Sequence, residues 1–186
     1  DDIYRVGTIS KIKQLLKLPG DTIRVLVEGL SRAEIGEIIQ TEPFFMPEVV
    51  EKIYTYDEDD KYEVEALKRS VLSAFDEYVR LSNKVAPEIL LTVTSIEDHG
   101  QLADIITSNM NLKVEQKQEI LDEFHPRKRL ERLLEIMLKE IDILEIEKDI
   151  NAKVRKQIDK SQREYYLREQ LKAIQSELGD NGIIGE

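Results

Sequence analysis

From Arg127 to Leu178 the chain runs 52 residues without a proline or a glycine, and Pro126 and Gly179 bracket the run. Proline suits the first turn of a helix, where its missing N–H has no partner to lose, and glycine suits the position after the last turn. A helix of that length, at ~1.5 Å per residue, spans ~78 Å. A chain of 186 residues builds no core that wide, so part of the helix is expected to project. Composition says which part. Residues 130–146 carry ten apolar side chains, including Leu133, Met137, Ile141 and Leu144, and are expected to pack on a core. Residues 147–164 carry only Ile150, Ala152, Val154 and Ile158 among alternating charges, the pattern of a solvated shaft. Residues 165–178 turn apolar again. Leu167, Leu171, Ile174 and Leu178 step 4-3-4, a short heptad seam, with Tyr165 and Tyr166 beside it. An apolar tip beyond a solvated shaft wants a partner, which makes these six residues the candidate contact surface.

The front of the chain carries a different period. Ile23, Val25 and Val27 alternate with Thr22, Arg24, Leu26 and Glu28, the two-residue repeat of a half-buried strand. An earlier run holds Val6, Ile9, Ile12, Leu15, Leu16 and Leu18. It meets this strand through Pro19-Gly20-Asp21, a turn cluster, so the pair reads as a β-hairpin. A third run, Ala33 to Gln40, alternates less cleanly, and Pro43 and Pro47 restrict the next segment to an edge strand or a loop. Three or four strands in this stretch leave open edges and a small core. Either further strands belong to the sheet or it leans on another element.

Tyr56-Asp57-Glu58-Asp59-Asp60 is a charged break, and a boundary is expected there. Beyond it Val64, Leu67, Val71, Phe75, Tyr78 and Ser82 step by three and four, one face of a helix over about 62–84. Pro87 fits the first turn of a short helix holding Ile89, Leu90, Leu91 and Val93. Ser95 with Asp98 resembles a cap for a helix whose buried face is Leu102, Ile105 and Ile106, and another short helix covers 114–123. The expected fold class is α+β. A β-domain occupies 1–56, a small helical bundle 57–125, a long helix 126–179 and a tail 180–186.

Net charge is −11, unevenly spread. Residues 1–125 hold 14 Lys+Arg against 25 Asp+Glu, and 126–178 hold 13 against 11. The acidic front repels phosphate backbones, which argues against nucleic acid as its partner. No stretch is long and apolar enough to span a membrane, and the absence of Cys suits a reducing cytoplasm. The start, Asp1-Asp2-Ile3-Tyr4-Arg5, reads as a cut through a longer chain rather than as a signal peptide.

The segment Gln162-Arg163-Glu164-Tyr165-Tyr166-Leu167-Arg168-Glu169-Gln170-Leu171-Lys172-Ala173-Ile174-Gln175-Ser176-Glu177-Leu178-Gly179 resembles, almost letter for letter, the long-helix segment of the ATP-dependent Lon proteases. Val6-Gly7-Thr8, Asp21-Thr22-Ile23-Arg24-Val25-Leu26-Val27-Glu28-Gly29-Leu30 and Arg32 resemble the last strands of the family's amino-terminal β-domain, a PUA-like fold. The resemblance reaches Gly179, and Asp180 to Glu186 depart from it. It implies a partial PUA-like β-domain, then a helical bundle whose last helix is very long and projects. It also implies a non-catalytic module of a homohexameric, ATP-driven protease. The module would engage unfolded or damaged proteins and contact other Lon subunits. Exposed apolar segments could also enter the β-domain by edge-strand pairing.

No G-x-x-x-x-G-K-[ST] occurs, so no phosphate-cradling loop is present. The resemblance places ATP and Mg with the parent enzyme, and the Ser–Lys peptidase dyad in a downstream domain that nothing here matches. No cofactor or metal is expected in this region. His99, before Gly100, and His125, before Pro126, read as surface or capping residues. Asp57 to Asp60 lack the Gly and ligand spacing of a Ca²⁺ loop. Two other readings stand beside the main one. The chain could be a scaffold whose long helix merely dimerises, although residues 147–164 interrupt the heptads. It could also be a PUA-like binder of a small ligand or RNA, against which its acidity weighs.

Overall fold

The computed structural model describes residues 3–54 and 61–180. The charged break at Tyr56–Asp60 and residues 181–186 of the expected tail lie outside the described residues. Strand β1 (Val6–Leu18) turns into β2 (Thr22–Gln40), and β3 (Met46–Glu51) comes next. They form one antiparallel sheet in the order β1-β2-β3. Leu18 faces Thr22 across the hairpin, and the loop between them needs two left-handed residues, Gly20 at φ 81° and Asp21 at φ 56°. Glycine takes that conformation without a Cβ clash, and aspartate is among the few other residues that tolerate it. The run Ala33–Gln40, which the sequence suggests as a separate strand, continues β2 without a break. Nothing between Gly29 and Ser31 forces a turn, and both sides of the run find partners: Ala33 faces Gly7 on β1 and Glu51 on β3. Pro47 sits on β3, the other edge of the sheet, as its missing N–H requires.

Helices α1 (Lys61–Leu81), α2 (Ile89–Thr94), α3 (His99–Asn109), α4 (Val114–Asp122) and α5 (Pro126–Asp180) complete the chain. The helix cap at α3 is Asp98 rather than Ser95. The Asp98 carboxylate accepts from the Gln101 backbone N–H at 2.6 Å, while the Ser95 hydroxyl bonds back to the Thr92 carbonyl. Gly179, expected as a helix stop, lies inside α5, which runs through Asp180.

The chain divides into two compact units, Asp1–Ile141 and Asp142–Glu186. In the first, the core is helical. Val71 and Phe75 of α1, Leu102 and Ile106 of α3, Ile120 of α4 and Leu130, Leu133 and Met137 of α5 are fully buried. Among the described sheet residues only Ala33 is buried, while Ile12, Leu15, Val25, Leu26, Val27 and Leu30 stay exposed. A three-stranded sheet has one element's worth of apolar side chains on each face and too few layers to cover either. In the second unit every described residue from 147 to 179 is exposed.

Candidate functional site

The second unit is a bare helix, so its surface is read directly from the helical repeat. At about 100° per residue, Leu167, Leu171, Ile174 and Leu178 fall within an arc of roughly 60°. They form a continuous apolar strip, each 53–68% exposed. Tyr165 and Tyr166 are as open but do not share that face: each lies more than about 90° around the helix from the strip's centre. The Tyr166 hydroxyl accepts from the Gln170 side-chain amide at 3.2 Å, and Lys172 pairs with Glu169 at 2.7 Å on the far side of the helix. The six residues named from the sequence are thus one strip of four and two rings on other faces.

A second apolar strip runs through the stretch 147–164, whose composition alone suggests a uniformly solvated shaft. Ile143, Ile146, Ile150, Val154 and Ile158 stand three, four, four and four residues apart and are 48–59% exposed. They occupy an arc of roughly 120°, and Tyr165 continues it. Counting apolar residues hid the pattern, whereas their spacing carries it.

The first unit holds an open cleft of about 830 Å³ between β2, the end of β3, and helices α3, α4 and the start of α5. Leu30, Ile53, Ile120 and Phe124 give it apolar walls, and Arg32, Lys52, Asp104 and Arg129 line it with charge. Arg32 presents both terminal nitrogens to the Asp104 carboxylate, one of them at 2.9 Å, and its Nε donates to the Leu121 carbonyl. Arg129, with a side chain only 5% exposed, reaches the same carboxylate at 3.3 Å. At the rim the Tyr54 hydroxyl and His125 Nε2 are 2.6 Å apart, and Lys52 lies 5.9 Å from the centre of the Phe124 ring. His125 is therefore a packed partner of Tyr54 rather than an isolated surface residue. His99 opens α3, and burial followed by the charge of Lys68 pushes its pKa below the ordinary 6.5. Among the described residues no group of three or more His, Cys, Asp or Glu is placed to hold a metal ion. Among them no helix is long and apolar enough to cross a membrane.

The profile of the ATP-dependent protease La (LON) substrate-binding domain matches residues 1–139. The Lon protease of Clostridioides difficile is 52% identical over 97% of the chain, and that of Heliobacterium modesticaldum 53% over 97%. The Brevibacillus choshinensis Lon protease is 51% identical over 100% of it. The chain spans 22–24% of the length of these relatives. Among solved structures, the N-terminal domain of a Mycobacterium avium complex Lon protease superposes with a TM-score of 0.59 at 27% identity. That match covers 74% of this chain and 72% of that one.

Proposed function

This chain belongs to the LON substrate-binding domain family, and from that premise we propose that it captures unfolded or damaged polypeptide for an ATP-driven protease without performing chemistry itself. One observation carries the reading: the strip Leu167, Leu171, Ile174 and Leu178 is more than half exposed, as are Tyr165 and Tyr166 on other faces of the same turns. Unfolded chains differ from folded ones chiefly in showing apolar side chains, so a solvated apolar strip discriminates between them by the hydrophobic effect alone. Each Leu or Tyr buried against a captured chain contributes at most ~1.5–3 kcal/mol before ordering costs. A single strip is therefore a weak holder, and several copies in a ring would grip through effective concentration. The ring is a homohexamer in this reading. The parent, with its ATP, Mg and Ser–Lys peptidase in other domains, works in the cytoplasm. The β-domain 1–56, the bundle 57–125 and the long helix 126–179 then serve as docking unit, support and capture arm.

The test measures fluorescence anisotropy of a labelled, reduced and carboxymethylated lactalbumin titrated with this chain and with its Leu171→Ser variant, while light scattering reports the chain's own mass. The variant is expected to bind about tenfold more weakly, near the lower end of one buried side chain, with the monomer mass unchanged. Equal binding by both chains overturns the reading. The 4-3-4 spacing favours a second reading, a seam between neighbouring subunits. A self-associated parent chain that Leu171→Ser dissociates, with lactalbumin binding intact, would establish that one instead.

A further inference from the structure

The sheet and the helices of the first unit are tied by a small set of directional polar contacts. Ala33 is the only buried sheet residue among those described. Among the ties are hydrogen bonds and charges: the Gln118 side-chain amide donates to the Val6 carbonyl at 2.9 Å, Tyr54 meets His125, and Arg32 meets Asp104. An apolar interface resists opening in proportion to the area it hides, whereas a polar one depends on a few directional contacts. Domain pairs joined in the second way move relative to each other by default.

The charged group is the centre of this interface. Arg32 leaves β2 and commits all three of its nitrogens to the helices: Nε to the end of α4, Nη1 and Nη2 as a fork to Asp104 of α3. Such a fork fixes angle as well as distance. Arg129 of α5 backs it from the other side. It donates to the carbonyls of Gly100, Glu123 and Phe124 at 3.3, 2.9 and 3.2 Å and to Asp104. Gly100 is part of the same device, since a Cβ there would stand 2.9 Å from Arg129 Nη1. Arg129 and Gly100 hold Asp104 on the helical side, and Arg32 reaches it from the sheet.

We propose that Arg32, Asp104 and Arg129 form a clasp that sets the angle between the sheet and the helices, and that releasing it opens the cleft. Leu30 and Ile53 stand on the sheet side of that cleft and Ile120 and Phe124 on the helical side. When Arg32 lets go, the two walls separate as bodies, because Ala33 is the one described sheet residue buried with the helical core. Asp104 is the sensitive position. Its carboxylate pairs with both guanidinium groups, so removing its charge takes away the anion that they share.

The chain contains no cysteine, so two introduced ones label it uniquely. Spin labels on Glu37→Cys in β2 and Asn83→Cys beyond α1, both exposed positions, report the sheet–helix distance by pulsed electron resonance. The clasp predicts one narrow distribution in the parent, and about twofold broadening in both Asp104→Asn and Arg32→Met with the helical circular dichroism unchanged. Lys13→Met breaks the surface pair with Glu28 and is expected to leave the distribution alone. Parental width in both clasp variants overturns the proposal. So does broadening that arrives only together with loss of helix, since the ion pairs would then support the fold as a whole rather than its opening.

Discussion

Two leucines on the same helix, changed in the same way, are expected to behave oppositely. Leu133 is 0% exposed and lies in the helical core, while Leu171 is 55% exposed in the apolar strip. Leu133→Ala removes buried methyl groups and leaves a hole that close-packed neighbours fill only in part, a cost of ~2–5 kcal/mol. Leu171→Ala creates no hole, and alanine is the better helix former, so the change stays within about 0.5 kcal/mol. At roughly 2–4 °C per kcal/mol for a chain of this size, the calorimetric Tm falls by about 4–20 °C in the first variant and by less than about 2 °C in the second. Differential scanning calorimetry at two protein concentrations reads both numbers directly. Comparable shifts in the two variants would refute the reasoning. Such a result would mean that Leu171 is covered in solution, and a shift that grows with concentration would identify the cover as another copy of the chain.

Gly100→Ala is expected to destabilise despite placing alanine in a helix. Arg129, held by four groups around it, cannot yield the room a methyl needs, and overpacking of ~1–3 kcal/mol exceeds the ~1 kcal/mol that helix propensity returns; urea denaturation gives the sign. The depressed pKa of His99 makes stability depend on pH below its ordinary 6.5. The unfolded chain takes up the proton first as the pH falls, so stability is complete above that value and declines beneath it. His99→Gln should flatten the slope of the urea midpoint between pH 6.5 and the acid range, and an unchanged slope would remove His99 as its source.

The long helix was legible because it is a negative pattern, a stretch with nothing to stop it, and such a pattern survives any tertiary context. The hairpin was legible from Pro19-Gly20-Asp21 and the alternation after it. The union of β2 with Ala33–Gln40 was not, since the alternation slips there, where β2 pairs irregularly with β3 between Ile35 and Gln40, and a slip in period looks like an end. The six tip residues could be named from the apolar run and its 4-3-4 step, but the places of Tyr165 and Tyr166 required the angle around the helix. The clasp left no trace in local sequence: Arg32 and Asp104 are 72 residues apart.

The 55-residue α5 also joins two kinds of melting in one element. An isolated helix is costly to nucleate and then grows almost neutrally, residue by residue. Here the nucleus is supplied at the start, where Leu130, Leu133 and Met137 are locked in the core, and the exposed turns from 147 to 179 grow from it like a zipper. Their persistence depends on propagation alone, near the helix–coil balance. On warming they should unwind gradually from the distal end, giving a sloping loss of ellipticity well before the core yields. The arm's effective length is thereby a function of temperature, shortening turn by turn while its root stays fixed.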